Sequence, residues 1–204
     1  MRAEIALRAP RAYSEVQERA APARRAEQRE STMSAEYTIR HPRLHEAERL
    51  AEVHIASWKE AYEGILPDQF WNDDAYQRRL DSWRQMLADP AHRARTRVTE
   101  VHGTVVGMAQ IGPPREDDVD VEHELYMIYL LADHQGNGAS SAMLEELLHH
   151  KSASLWVLKT NARALAFYRK HGFTPDGAEK DLGEDAGAEA LAGIVEIRMV
   201  REPQ

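Results

Sequence analysis

The sequence predicts a single α/β (α+β) domain in which helices pack on a mixed, mostly antiparallel sheet. The first observation is that segments in which apolar residues alternate, as in strands, are interspersed along the chain with segments in which they recur at helical spacing. The second is a glycine-containing corner at residues 129–144, where an apolar run stops and helical spacing begins. The third is size, because 204 residues with 43% hydrophobic content suffice for one buried core but are short for two full domains.

The N-terminal segment is predicted to lie outside this domain. Residues 1–32 contain seven Arg, five Glu and eight Ala, and Ile5, Leu7 and Val16 are their only aliphatic residues larger than Ala. Such a composition cannot build a core, so we expect residues 1–34 to form a solvated helix or flexible extension and residues 35–204 to form the domain. Met33 begins a segment that looks like an ordinary protein start, which gives the hypothesis that translation begins there.

The domain is predicted to open with one strand and two helices. Residues 37–40 alternate and form the strand. A helix begins at Leu44, with apolar residues at three- and four-residue spacing until Gly64 stops it. Residues 76–87 repeat that spacing and predict a second helix, which ends before Pro90.

A hairpin and a long strand are predicted next. Strands 96–101 and 104–111 meet at His102-Gly103, the two-residue turn that hairpins prefer. Residues 112–118 are polar and rich in Gly and Pro, which indicates a loop. Residues 122–131 then form the longest strand, which leads into the glycine corner.

The C-terminal part is predicted to alternate between helices and strands. A helix runs from the corner through His150, an apolar strand occupies 155–158, and Asn161 caps the next helix. A strand opens at Phe173, a loop rich in Gly, Ala and acids covers 177–192, and alternation predicts a final strand at 194–201. The predicted order is therefore β-α-α-β-β-β-α-β-α-β-β.

The glycine corner is the first candidate site. Gly136 and Gly138 leave the backbone N–H groups of the loop unshielded, and the helix that follows adds its unpaired donors and partial positive charge. Such a corner binds anions. Taken alone it is ambiguous, because many strand-to-helix turns use Gly only for its backbone freedom.

Two motifs at the right separation resolve this ambiguity by resemblance. The stretch Gln135-Gly136-Asn137-Gly138-Ala139-Ser140 resembles the phosphate loop of the GNAT superfamily of acetyl-CoA-dependent N-acetyltransferases, with Ser140 in place of the last Gly or Ala. Asn161 through Tyr168 to Gly172-Phe173 resembles the family's second motif. The resemblance covers about residues 37–201 and implies the GNAT fold, with roughly six to seven strands and about four flanking helices.

The resemblance implies acetyl-CoA as co-substrate and assigns residues to it. The backbone of Tyr129 and Leu130 would bond the pantetheine arm and polarise the thioester carbonyl, in an opening where the strand diverges from the next one. Asn161 and Tyr168 would also contact the cofactor. The pyrophosphate would bind at the phosphate loop, which consists of Gln135, Gly136, Asn137, Gly138, Ala139 and Ser140.

Two catalytic residues follow from the same resemblance. Tyr168 matches the family's general acid, two helical turns after Asn161, although a tyrosine there also fits a core position. Glu124 is the candidate base because its spacing from Gln135 coincides with the catalytic glutamate of the histone-acetylating members. Strict alternation would place Glu124, Tyr126, Ile128 and Leu130 on one face of the strand. The alternative is a glutamate at the solvent boundary in an enzyme without a dedicated base.

The acceptor pocket is expected to involve Trp58, Tyr62 and Tyr126. Residues 57–67 resemble a recurrent signature of one sub-family, but aromatic residues at this spacing are also typical of a core. His54, on the same helical stripe, is either a second base or a hydrogen-bonded core histidine.

Composition excludes several other classes of site. The chain has no cysteine, so disulfides, thiolate metal sites and a cysteine nucleophile are excluded, and no apolar run is long enough to span a bilayer. We predict a cytoplasmic protein. A net charge of -8 argues against nucleic acid as a partner and favours a cationic or amine-bearing one. No metal site is predicted, since the adjacent His149 and His150 point about 100° apart on a helix.

The predicted function is transfer of acetyl from acetyl-CoA to a primary amine of a small molecule, by direct attack in a ternary complex. Two alternatives stay open, a protein or peptide N-acetyltransferase and a catalytically silent acyl-CoA-binding regulatory module. The resemblance also allows a homodimer formed through edge or C-terminal strands.

Overall fold

The computed structural model describes residues 37–64, 66–186 and 191–203. The predicted N-terminal extension and the Met33 hypothesis lie outside these residues, as do residues 187–190 of the predicted C-terminal loop. In the part of the chain that is described, no helix is both long enough and apolar enough to cross a membrane.

A seven-stranded mixed sheet forms the centre of the domain, as the sequence predicts. Its spatial order is β1-β2-β3-β4-β5-β7-β6, and every neighbouring pair is antiparallel except β4 and β5. The strands are β1 Tyr37–Arg40, β2 Thr96–Val101, β3 Thr104–Gly112, β4 His123–Leu130, β5 Ala153–Leu158, β6 Thr174–Asp181 and β7 Val195–Arg201.

Helices cover both faces of this sheet. They are α1 Ala47–Tyr62, α2 Asp73–Ala88, α3 Pro90–Ala94, α4 Ala139–Leu148, α5 Ala162–Lys170 and α6 Leu182–Ala186. Met108 of β3 belongs to the buried cluster with α1 and α2, while its neighbour Ala109 belongs to the cluster with α4 and α5. Because successive strand residues point to opposite faces, the two helix pairs lie on opposite sides of the sheet.

The C-terminal loop prediction is wrong for residues 177–186. β6 continues to Asp181, and α6 follows with Leu182 fully buried. β6 is an edge strand whose polar side chains remain largely exposed, and Asp176 accepts a hydrogen bond from Arg198 of β7 at 2.7 Å. A polar edge strand lacks the apolar alternation that identifies a strand in sequence.

A bulge in β4 overturns the predicted alternation. Gln110 of β3 pairs with Met127 and Ile111 pairs with Leu125, so Tyr126 is the extra residue on β4. Beyond the bulge, Ile128 packs on the side of α4 and α5, whereas Tyr126 lines a cavity beside α2. The prediction that Glu124, Tyr126, Ile128 and Leu130 share one face is therefore wrong.

Candidate active site

The glycine corner joins β4 to α4. Gly136 has φ +84° and Gly138, at the N-cap of α4, has φ +91°. A Cβ at Gly136 would contact nothing within 4 Å, so this glycine is required by its left-handed backbone and not by crowding. The corner is therefore open at Gly136, while the Ala139 N–H at the start of α4 already donates to Asn137 Oδ1 at 3.0 Å.

Side chains around the corner hold its shape. Gln135 donates from Nε2 to the Leu130 carbonyl at 2.7 Å and accepts at Oε1 from Nη1 of Arg163 on α5. Ala139 is fully buried, while Ser140 is partly exposed. The position that packs tightly is therefore Ala139, and the hydroxyl of Ser140 does not disturb the core.

β4 and β5 separate soon after they meet. Their parallel ladder contains only the pairs His123 with Ala153 and Glu124 with Ser154, whereas β5 stays paired with β7 as far as Leu158. Among the described residues, the backbone of β4 beyond Glu124 consequently has no ladder partner on the β5 side. Tyr129 and Leu130 lie in this separated part of the strand.

The second motif forms α5, next to this opening. Asn161 is buried and caps the helix, accepting a hydrogen bond from the Ala164 N–H at 3.0 Å. Tyr168 is 2% exposed and belongs to the buried cluster that also contains Leu125 of β4 and Val157 of β5. Tyr168 therefore packs in the same cluster as residues of both strands that border the opening. This location is compatible with a core tyrosine and with a general acid.

Glu124 is buried and ion-paired. Its side chain is 1% exposed, so it does not sit at the solvent boundary. Oε2 accepts from the Arg115 backbone N–H at 2.9 Å, and Oε1 accepts from Arg115 Nε at 2.9 Å and also from Nη2. Both carboxylate oxygens are therefore engaged by one residue of the β3–β4 loop.

A cavity of about 130 Å³ lies between α1, α2 and the bulged part of β4. Tyr126, predicted for the acceptor, lines it, and the side chain of Tyr129, predicted only for its backbone, lines it too. The complete lining consists of His54, Arg79, Ser82, Trp83, Met86, Gln110, Arg115, Tyr126, Met127 and Tyr129.

Trp58 and Tyr62 form the layer behind this cavity. Trp58 donates from Nε1 to the Tyr129 hydroxyl at 3.0 Å, and the Arg79 guanidinium lies over its ring at 4.2 Å from the centroid. Tyr62 is fully buried, with its ring 5.5 Å from that of Trp58. Trp58 therefore contacts Tyr129 and Arg79, which line the cavity, whereas Trp58 and Tyr62 themselves are not among its described lining residues.

His54 lines the cavity as a neutral imidazole. Burial, and then the positive charge of Arg79, hold the pKa of His54 well below its usual range. Its ring lies 5.1 Å from that of Tyr129, and no hydrogen bond joins it to another described residue. His54 is buried and lines the cavity, a position compatible with both predicted roles, the second base and the core histidine.

The acidic β3–β4 loop is attached to the sheet. Glu116 accepts a hydrogen bond from Trp156 Nε1 at 2.8 Å, and Asp118 pairs with Arg198, with Oδ2 accepting from Nη2 at 3.1 Å. With Arg115 bound to Glu124, these contacts hold the loop against the side of the sheet that carries α1 and α2. Glu116 and Asp118 are thus structural partners of the sheet.

Arg79, Arg115 and Arg163 were not identified from the sequence. The burial of Arg79 could have been inferred from its spacing in the sequence. It falls at four-residue spacing with Ala75, Trp83 and Leu87, and all four are buried on α2. Arg115 had no such signal, since it lies in a polar stretch, and Arg163 had none, since nothing in its sequence neighbourhood indicates a contact with Gln135. Among the described residues, no group of His, Cys, Asp and Glu is arranged to hold a metal ion.

Comparisons with known proteins agree with this geometry. The model of the "Acetyltransferase (GNAT) family" matches residues 52–173. The chain is 32% identical over 156 residues to the "Uncharacterized N-acetyltransferase YuaI" of Bacillus subtilis (strain 168). The matched region covers 74% of this chain and 86% of that relative.

Solved structures show the same fold. The PaiA N-acetyltransferase of Thermoplasma acidophilum in complex with coenzyme A is 17% identical with a TM-score of 0.59, covering 82% of this chain and 99% of that one. The ribosomal-protein-alanine N-acetyltransferase of Brucella melitensis is 21% identical with a TM-score of 0.62, covering 81% and 99%. With a family match over more than half of its length, the chain belongs to the GNAT family of acetyltransferases.

Proposed function

We propose that this chain transfers acetyl from acetyl-CoA to a primary amine of a small molecule, by direct attack in a ternary complex. One observation carries the proposal, namely that β4 borders two sites at once. Its backbone beyond Glu124 has no ladder partner toward β5, and its Met127 and Tyr129 side chains line the cavity beside α2. A donor held along β4 and an acceptor in the cavity would meet at the same strand.

The donor half of the site fits acetyl-CoA. The solved PaiA structure, which shares this fold, holds coenzyme A. In this chain the pantetheine arm would bond the backbone of Tyr129 and Leu130, and the pyrophosphate would bind at the N-terminus of α4. Gly136 offers open space there, and Ser140 in the first turn of α4 is partly exposed.

Tyr168 is the proposed general acid. The departing thiolate of coenzyme A needs a proton, and a tyrosine hydroxyl within reach supplies one. Tyr168 shares its buried cluster with Leu125 of β4 and Val157 of β5, the strands that border the opening. Its burial restricts access of bulk water to this proton transfer.

Amine deprotonation has two alternatives. Glu124 as a base stays a prediction, and its engagement by Arg115 and its place outside the cavity lining weigh against it. Arg79 and Arg115 support the second alternative, because positive charges and burial lower the pKa of an entering ammonium group. The amine would then arrive neutral, with its proton lost to solvent.

The size of the cavity favours a small acceptor over a peptide. The β3–β4 loop is fastened by Glu116 and Asp118 and contributes Arg115 to one wall. A peptide would need an open groove along the strand ends. We retain a protein or peptide acceptor as the alternative because one similar structure is a ribosomal-protein-alanine N-acetyltransferase.

The test is release of coenzyme A from acetyl-CoA in the presence of amino acids, polyamines, aminoglycosides and peptides. We expect release with small amines and little with peptides. Selective release with peptides would favour the protein acetyltransferase. No release with any class, despite measurable acetyl-CoA binding, would favour the silent acyl-CoA-binding module. The cytoplasm remains the expected location, with which a chain without cysteine is compatible.

A further inference from the structure

The acceptor cavity has a charge pattern that the whole chain does not share. The chain carries a net charge of -8, yet two arginines and no carboxylate are found among the described residues that line the cavity. The other polar groups on lining residues are Ser82, Gln110, the neutral His54, the Tyr126 and Tyr129 hydroxyls and the Trp83 Nε1–H. Recognition depends on the local potential, so the overall acidity of the chain does not define the acceptor.

Arg79 supplies one of these charges from a fixed position. It lies four residues before Trp83 on α2 and is 6% exposed. Its guanidinium stacks 4.2 Å from the Trp58 ring centroid, which restricts the side chain to one orientation. Its charge reaches the cavity, since it is one cause of the lowered pKa of His54.

Arg115 supplies the second charge from the β3–β4 loop. Its Nε and Nη2 donate to Glu124, and its guanidinium lies 4.8 Å from the Tyr126 ring centroid. Nη1 has no hydrogen-bond partner among the described residues. The Glu124 carboxylate offsets the charge of Arg115, on which the charge of Glu116 also acts.

We propose that the acceptor is an amine that also carries a carboxylate, an amino-acid-like small molecule, and that Arg79 and Arg115 receive the carboxylate. This inference rests on the proposed acetyltransferase function and names its substrate class. Guanidinium groups match carboxylates in geometry and form strong charge-assisted hydrogen bonds. A polycationic acceptor would instead meet like charge in a desolvated site. The carboxylate at the arginines leaves the amine free to approach β4 at Met127 and Tyr129.

The first experiment compares amino acids with their own amides. We would measure kcat/KM for coenzyme A release with L-alanine against L-alaninamide and L-methionine against L-methioninamide, with spermidine as a cationic reference. The amide amine has the lower pKa, so intrinsic reactivity at neutral pH favours the amide. We expect the wild-type protein to prefer the free acid by about tenfold or more, through a lower KM.

Variants then connect that preference to the arginines. Arg79→Gln should reduce the acid-to-amide ratio to near one, and Arg79→Lys, which keeps the charge, should retain part of it. Arg84→Gln is the matched control, since Arg84 lies on the same helix, is half exposed and does not line the cavity. N-acetyl-amino acids should inhibit the wild-type protein more strongly than N-acetyl-amino-acid amides, a comparison that needs no variant.

The possible results distinguish the carboxylate inference from the acetyltransferase function on which it rests. Equal or better use of amides or spermidine than of amino acids would overturn the carboxylate inference and leave the acetyltransferase function in place. An acid preference that survives Arg79→Gln unchanged would remove Arg79 from acceptor recognition. No release from any amine by protein that binds acetyl-CoA would overturn both.

Discussion

Removing either partner of the ion pair between Arg115 and Glu124 should destabilise the protein, but by unequal amounts. Glu124 is 1% exposed, whereas the side chain of Arg115 is 38% exposed. Arg115→Gln leaves a buried carboxylate without its counter-ion, which should lower the free energy of unfolding by about 3–5 kcal/mol. Glu124→Gln leaves a guanidinium that water can still solvate, so we expect only about 1–2 kcal/mol.

The double variant provides the decisive comparison. Arg115→Gln/Glu124→Gln removes both charges and should be more stable than Arg115→Gln alone, with a coupling of about 2–3 kcal/mol that exceeds the loss in Glu124→Gln alone. The assay is urea unfolding at neutral pH, with midpoints compared at unchanged slope. Arg84→Gln should stay within about 0.5 kcal/mol of wild type.

The reasoning would be refuted by equal losses for the two single variants or by additive losses in the double variant. Either result would mean that Glu124 is not held as a buried anion by Arg115. In that case its carboxylate would also be available to act as a base, which the present contacts weigh against.

Three further predictions concern the donor loop, the acid and the cavity. Gly138→Val places a branched side chain at φ +91° and should weaken acetyl-CoA binding by about 100-fold in calorimetry, whereas Gly103→Val, at φ +79° in the β2–β3 turn, bears a similar backbone cost and should retain binding. Tyr168→Phe should lower kcat by about tenfold or more with the Kd for acetyl-CoA unchanged, and equal turnover in Tyr168→Phe and the control Tyr76→Phe would exclude the acid role. Because the folded state holds the pKa of His54 down, stability is lost as pH falls below about 6.5, by up to about 1.4 kcal/mol per pH unit. In His54→Gln the free energy of unfolding should therefore decrease less between pH 7.5 and 5.5 than in the wild type. An equal decrease in both proteins would contradict a depressed pKa for His54.

Local chemistry explains why the glycine corner was predictable from sequence. A strand followed by glycines and a helical repeat has few conformations available, and both Gly136 and Gly138 adopt the positive φ that favours glycine. The cap formed by Asn161 depends on the same short-range rules. These features need no knowledge of how distant segments pack.

Features set by distant segments were not predictable in the same way. The bulge at Tyr126 depends on register with β3, so strict alternation assigned the wrong face to the residues beyond it. The polar residues of β6 form a strand only because β7 pairs with them. Arg115 reaches the cavity through a loop whose path is set by its contacts with the sheet.

The most direct test of the central account is the initial-velocity pattern with acetyl-CoA and the best acceptor varied together. If β4 brings donor and acceptor together for direct attack, double-reciprocal plots should intersect, as a ternary complex requires. Parallel lines would indicate a covalent acetyl-enzyme and ping-pong transfer, and would contradict the account.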